Sequence, residues 1–348
     1  MIIDAHQDIA YNMVALGRDY TRPVAQTRAL EGPRTRDIAT LGLPDALSGG
    51  VGLVFATLFV EPAGTTLGPA SRGYRTPDEA HTQAQEQLAV YRRLAEHPQV
   101  TLVQNRADLA AVQAAWAGGE PQQGIVVLME GADPIRTPEE ASAWQAAGVR
   151  LIGPAWRRTR YSGGTAAPGP LTPAGRELMR ELRRAGLALD VSHMAEASFW
   201  EALELFDGPV VATHANCRAL VPERLPDRHL SDEMIRALVT RDAVIGVVLF
   251  NRFLDDGWDY GSSKDALGLD AVVRHIDHIC QIAGNAHHVA IGSDFDGGFG
   301  SEAIPRELDS VADLPRVGEA LLRAGWREQE VQALLSGNWL RALQTILP

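Results

Sequence analysis

The sequence predicts a (β/α)8 barrel, and three observations carry the prediction. Eight short apolar runs recur along the chain, amphipathic segments lie between most of them, and polar residues cluster at the same end of five runs.

The runs, in order, are MIIDAH (1–6), VGLVFATLFV (51–60), GIVVLMEG (124–131), VRLIGPAW (149–156), LALDVSH (187–193), VVATHAN (210–216), VIGVVLFN (244–251) and HVAIGSDFDG (288–297). They are rich in Val, Ile and Leu and mostly do not alternate with polar residues. That is the pattern of parallel strands buried on both faces. The intervening segments read as helices. Residues 76–97 and 172–186 each open on Thr-Pro, and the second ends on Gly186; residues 231–241 open on a capping Ser followed by acids. Residues 268–284 show an amphipathic period, and a last helix is expected over 327–346. The Gly/Pro-rich stretch 161–171 and the irregular stretch 255–268 are expected to be loops over the barrel mouth. A doubly wound open sheet is the competing arrangement, but no GxGxxG or P-loop pattern follows an early strand. Residues 1–348 are therefore expected to form one barrel domain.

Bulk composition narrows the function classes. The chain is 45% hydrophobic and 22% charged, with a formal net charge of −12. That charge argues against nucleic acid or an anionic membrane as partner, since both reward clustered Lys and Arg. Two scattered cysteines, Cys217 and Cys280, suggest no disulfide framework. No apolar run reaches membrane-spanning length, no signal peptide precedes the first motif and no anchor tail ends the chain, so a cytoplasmic protein is expected.

The polar residues at the run ends form a pattern. His6 and Asp8 follow the first run, Glu130 ends the third, His193 the fifth, His214 the sixth, and Asp294 the eighth. Each has a bland reading: a strand-end His is commonly a hydrogen-bonded structural residue, and Asp296-Gly297 beside Asp294 reads as a turn. A carboxylate placed directly behind IVVLM, as Glu130 is, is costly to bury unless paired or bound to a metal. Independent accidents would not favour one end of five strands, so the six are expected to converge on one mouth. Imidazoles and carboxylates without cysteine suit Zn²⁺, Mn²⁺ or Fe²⁺. Lys264, the one lysine of the chain, falls in a loop. If two ions bind, a carboxylate must bridge them, and Glu130 is best placed. His275 and His278 share a helix without an acid from a strand end, and surface or capping roles suffice for His81, His97 and His229.

These motifs, in this order, resemble the membrane (renal) dipeptidase family of amidohydrolase-like metal hydrolases, peptidase family M19. The resemblance rests on DAHQD (4–8), MEG (129–131), LDVSHM (189–194), THANCRAL (213–220), RHLSDEMIRAL (228–238), IGSDFDG (291–297) and GNWLRAL (337–343). It implies a (β/α)8 barrel holding two zinc ions: His6 and Asp8 on one, Glu130 bridging, His193 and His214 on the other. It also implies that Asp294 lies near the first ion as acid/base residue and that Arg228 grips the substrate's terminal carboxylate. A homodimer is compatible with it. One position departs from the family pattern: Trp156 stands where a histidine contacting the scissile carbonyl is expected. Losing such a donor can cost about 10²–10³ in rate. Arg157, Arg158, Arg160 or Tyr161 are candidates to substitute for it, and Trp156 is either a substrate platform or mouth packing.

The expected chemistry is metal-dependent hydrolysis of an amide in a small carboxylate-bearing substrate such as a dipeptide, with a metal-bridging hydroxide as nucleophile. Tolerance of a D-residue at the C-terminal side follows from the resemblance alone. Two alternatives stay open: hydrolysis of a non-peptide amide or lactone, and a metal-binding barrel that has lost catalysis.

Overall fold

The computed structural model describes residues 1–65 and 72–348. Its sheet strands are β1 (Ile2–Gln7), β2 (Val51–Phe59), β3 (Val100–Leu102), β4 (Gln123–Glu130), β5 (Val149–Gly153), β6 (Ala188–Asp190), β7 (Val210–Val211), β8 (Ile245–Val247) and β9 (Val289–Ile291). All pairings are parallel, in the order β1-β2-β4-β5-β6-β7, with β8-β9 beside them. Two single bridges join these sheets into a ring: Ala212 pairs with Ile245, and Gln7 pairs with Phe295. The eight expected runs are thus the eight barrel strands. The sequence reading missed β3, which pairs with the first residues of β4 below the point where β5 takes over that edge. Three residues leave too short a run to stand out.

Helix boundaries follow the caps. Thr76 accepts from Glu79 N at 3.2 Å and opens the helix Pro77–Leu94; Thr172 does the same for Pro173–Ala185, which stops at Gly186 with φ 68°. Ser231 caps Asp232–Thr240, and Leu269–Ala283 ends on left-handed Gly284. The final helical stretch runs Glu328–Gln332, one π turn over Ala333–Gly337, then Asn338–Ile346.

Side-chain parity positions the site. On β2, Leu53 and Phe55 face the barrel interior while Val54 and Ala56 face the helices; on β4, Val126 and Leu128 face inward while Val127 and Met129 face outward. Two residues beyond Phe55 is Thr57, and two beyond Leu128 is Glu130. The alternation that fills the interior therefore turns Glu130 into the mouth. The opposite end is plugged by Trp339, whose ring sits 5.1 Å from Phe55 and whose indole N–H donates to Ile291 O.

Candidate metal centre

The first and last strands meet at their C-terminal ends, where Asp294 N donates to His6 O at 3.1 Å. Asp294 and Asp296 both take left-handed backbone, at φ 62° and 60°, a conformation that short polar side chains tolerate better than most. A Cβ at Gly297 would lie 2.2 Å from Asp294 Oδ1, so only glycine leaves that carboxylate its place.

All six expected residues come together. Glu130 Oε2 lies 3.4 Å from His6 Nε2, while Oε1 lies 2.8 Å from His193 Nε2 and 3.4 Å from His214 Nε2. The two oxygens thus face different imidazoles. Asp8 Oδ2 and Asp294 Oδ1 stand 3.9 and 3.8 Å from His6 Nε2. The ligand atoms of His6, Glu130 and His214, and those of His6, Asp8 and Asp294, each lie within 4.8 Å of one another. His193 Nε2 and His214 Nε2 are 2.8 Å apart, and His6 Nε2 is buried without a hydrogen-bond partner among the described residues.

A second layer aims these groups. Thr165 Oγ1 holds His193 Nδ1 at 2.9 Å, and Thr213 Oγ1 lies 3.0 Å from His214 Nδ1 and 3.4 Å from His6 Nδ1. The Nε2 atoms are therefore the ones turned to the cluster. Asp190 accepts from Thr213 Oγ1, Thr213 N, Ser192 N and Ser192 Oγ, and Thr57 Oγ1 donates to Asp8 Oδ1 at 2.5 Å. Asp4 accepts from Ser293 N, Ser293 Oγ and Gln7 Nε2, which fastens β1 to the residues after β9. Sequence reading passed over Asp4, Asp190, Thr57 and Thr213 as site residues. The signal was there for the two acids: each sits inside an apolar run, where an unpaired carboxylate is costly.

The electrostatics call for added positive charge. Three buried carboxylates share the cluster. Burial works against a proton on His6, yet Glu130, Asp294 and Asp8 outweigh it and carry that imidazole up to about 9. Burial, with Asp8 and Glu130, drives Asp294 well above the usual carboxylate range against the pull of His6; burial and Glu130 push Asp8 up to about 7. Glu130 goes the other way, because His6 and His193 overcome its burial and hold it well below that range. Burial and Arg228 take His193 down to about 4, a neutral imidazole suited to donate its lone pair. The unpartnered His6 nitrogen, the neutral imidazoles and the crowded carboxylates fit divalent cations held by N and O donors.

The cluster floors a cavity of about 490 Å³. Arg228 lines it and, contrary to its loop-like sequence context, is only 1% exposed. Its Nη1 donates to Ser192 O (3.1 Å) and His214 O (3.0 Å), which leaves Nε and Nη2 buried with no hydrogen-bond partner among the described residues. Trp156 also lines the cavity, packed edge-on against Phe59 at 5.0 Å. Tyr161 does not line it: its ring is buried and its hydroxyl donates to Ile135 O at 2.5 Å, so the expected substrate contact is corrected to a packing role. Of the three arginines proposed to substitute for the missing histidine, Arg157 lines the cavity; Arg158 donates to Pro168 O, and Arg160 to Arg136 O and Ile135 O. Both expected loops contribute, through Thr165, Ala166 and Tyr260. Lys264 donates instead to Leu308 O. His229 departs from its expected surface role: it is buried beside Arg228, with no hydrogen bond to either ring nitrogen among the described residues.

The model of the membrane dipeptidase family, peptidase family M19, matches residues 1–347. The chain belongs to this family. A Klebsiella pneumoniae protein, an uncharacterized protein of the pqqA 5′ region, is 35% identical over 271 residues, spanning 75% of this dipeptidase and 95% of the relative. An uncharacterized dipeptidase of Schizosaccharomyces pombe is 26% identical over 353 residues, with 99% and 80% covered. Among solved structures, the M19 metallopeptidase dipeptidase AC superposes with a TM-score of 0.80 at 25% identity, covering 99% and 98% of the two chains. A Rhodobacter sphaeroides metallopeptidase, solved with a phosphinate mimic of the dipeptide L-Ala-D-Ala, does so at 0.80 and 24%, covering 99% of each. This dipeptidase therefore carries its fold and its hydrolase class from one end of the chain to the other. No helix among the described residues is long and apolar enough to cross a membrane.

Proposed function

We propose that this dipeptidase works with two divalent cations, zinc first among the candidates, on dipeptides whose C-terminal carboxylate is held by Arg228. The observation that carries the reading is Glu130, whose two oxygens face His6 on one side and His193 with His214 on the other. A carboxylate so divided would serve two ions, with His6 and Asp8 completing one set and His193 and His214 the other. When bound, such ions supply Lewis acidity for the scissile carbonyl and acidify water enough for hydroxide near neutral pH.

The chain's own residues do the rest. Asp294 stands beside the first set and accepts the proton of the attacking water, then returns it to the leaving amine. The free Nε and Nη2 of Arg228 form a fork for a carboxylate, which fixes the scissile bond over Glu130 and disfavours longer chains. Trp156 and Phe59 present apolar surface at the rim and restrict water. The dipeptide mimic bound by the Rhodobacter relative supports a dipeptide-like substrate, and its D-residue supports trying L,D-dipeptides first.

The test is metal analysis of the purified protein, followed by L,L- and L,D-dipeptides with chelator and after metal return. Two equivalents of metal and chelator-sensitive hydrolysis are expected. Full activity at one equivalent would end the two-ion reading, and full metal with no dipeptide cleaved would end the substrate reading.

A further inference from the structure

The wall beside Arg228 is apolar and oddly built. Leu225, whose carbonyl accepts from Arg228 N at 2.7 Å, has φ 41° and ψ 63° and is 38% exposed. A leucine gains nothing from left-handed backbone or from facing water; where both costs coincide in a cavity lining, function is the usual reason. Phe253 lies with its ring 5.1 Å from the Arg228 guanidinium carbon and lines the same cavity, half-buried. Two further aromatic rings of the same cavity hold it: Phe250 packs on it edge-on at 4.9 Å, and Phe250 stacks on Phe299 at 4.2 Å and 10°. Arg252, which also lines the cavity, pairs with Asp259 at 3.4 Å.

From this placement we infer that Leu225 and Phe253 form the subsite for the side chain of the substrate's C-terminal residue and select an apolar one. The inference rests on the proposed grip of Arg228 on the terminal carboxylate. With the carboxylate at Nε and Nη2, the substituent on the adjacent α-carbon projects into the cavity that Leu225 and Phe253 line. An apolar substituent covers both and removes them from water; glycine leaves them bare, and a charged side chain is desolvated there without a partner. A purely packing role for Phe253 does not account for Leu225, which stays 38% exposed at the cavity wall.

The test compares kcat/KM for Ala-Gly, Ala-Ala, Ala-Leu, Ala-Phe, Ala-Asp and Ala-Lys, in L,L and L,D series, with the metal-loaded enzyme. Ala-Leu and Ala-Phe are expected at least about tenfold above Ala-Gly, since one or two methylenes in an apolar site already give that much. In Leu225→Asn, which keeps a residue tolerant of left-handed backbone, the Ala-Leu to Ala-Gly ratio is expected to collapse toward one through KM, with metal content unchanged. Phe253→Ser should act in the same direction. A preference for Ala-Asp or Ala-Lys overturns the inference, as does a ratio that survives both substitutions or an equal loss on every substrate. Failure to cleave any of the six while fully metal-loaded overturns the dipeptide reading itself, a result distinct from cleavage without side-chain preference.

Discussion

The amide of Asp294 donates to the carbonyl of His6, and their side chains lie 3.8 Å apart across the same seam. One backbone hydrogen bond therefore both closes the barrel and sets the proposed proton carrier beside the proposed metal ligand. Residues from the two ends of the sequence become neighbours only because the ring of strands shuts there.

Asp294→Asn keeps the shape and left-handed tolerance of the residue and removes its ability to carry a proton. Turnover is expected to fall by about 10²–10⁴, the usual scale for a positioned acid/base group. Metal content should stay within error of the parent by elemental analysis. A rate near the parent's would remove Asp294 from the mechanism.

Glu130→Gln should do the opposite to metal. Removing the charge of a shared donor and turning one of its two oxygens into an NH2 group weakens both sets, so the loss in affinity should exceed the roughly 10–100-fold that an outer-layer partner is worth. Asp190→Asn supplies that comparison, because Asp190 reaches the imidazoles of His214 and His6 through the Thr213 hydroxyl. Competitive chelator titration of both variants orders the two losses.

Replacing Arg228 by Gln removes the carboxylate fork. Truncating one partner of a buried charged pair costs about 2–5 kcal/mol, and the loss should fall on kcat/KM for free dipeptides. The parent's preference for free over C-terminally amidated dipeptides should shrink in the variant. An unchanged preference would mean that the carboxylate is held elsewhere.

Metal removal should lower stability as well as activity. Three carboxylates crowd one buried cluster, and cations relieve their repulsion only in the folded state. At metal about a thousandfold above Kd, linkage gives about 4 kcal/mol, a shift of several degrees in Tm by calorimetry. Equal melting with and without chelator would contradict a resident ion.

A pH effect is expected away from the centre. Burial takes His275 down to about 4, where its Nδ1 accepts from Cys217 N and its Nε2 faces Leu254 O. The unfolded imidazole titrates near 6.5, so the folded state binds its proton less readily. Its contribution is whole above about pH 6.5, erodes as pH falls, and is lost by about pH 4; the span is roughly 3 kcal/mol. His275→Asn should flatten that part of the stability curve, read by denaturant melts at fixed pH steps.

The sequence by itself determined the eight barrel strands, the capped helices and the identity of the six cluster residues. Periodicity and strand ends are local properties, and a carboxylate or imidazole closing an apolar run is visible without any contact. It did not reveal β3, whose three residues pair only because β4 offers a free edge below β5. Nor did it show that Arg228 is buried, that Tyr161 turns away to Ile135, or that Phe253 lies against the guanidinium in a cavity that Leu225 also lines. Those facts depend on where loops from separate strands come to rest against each other. Only the closed ring fixes that, because each loop residue is positioned by neighbours distant in the chain.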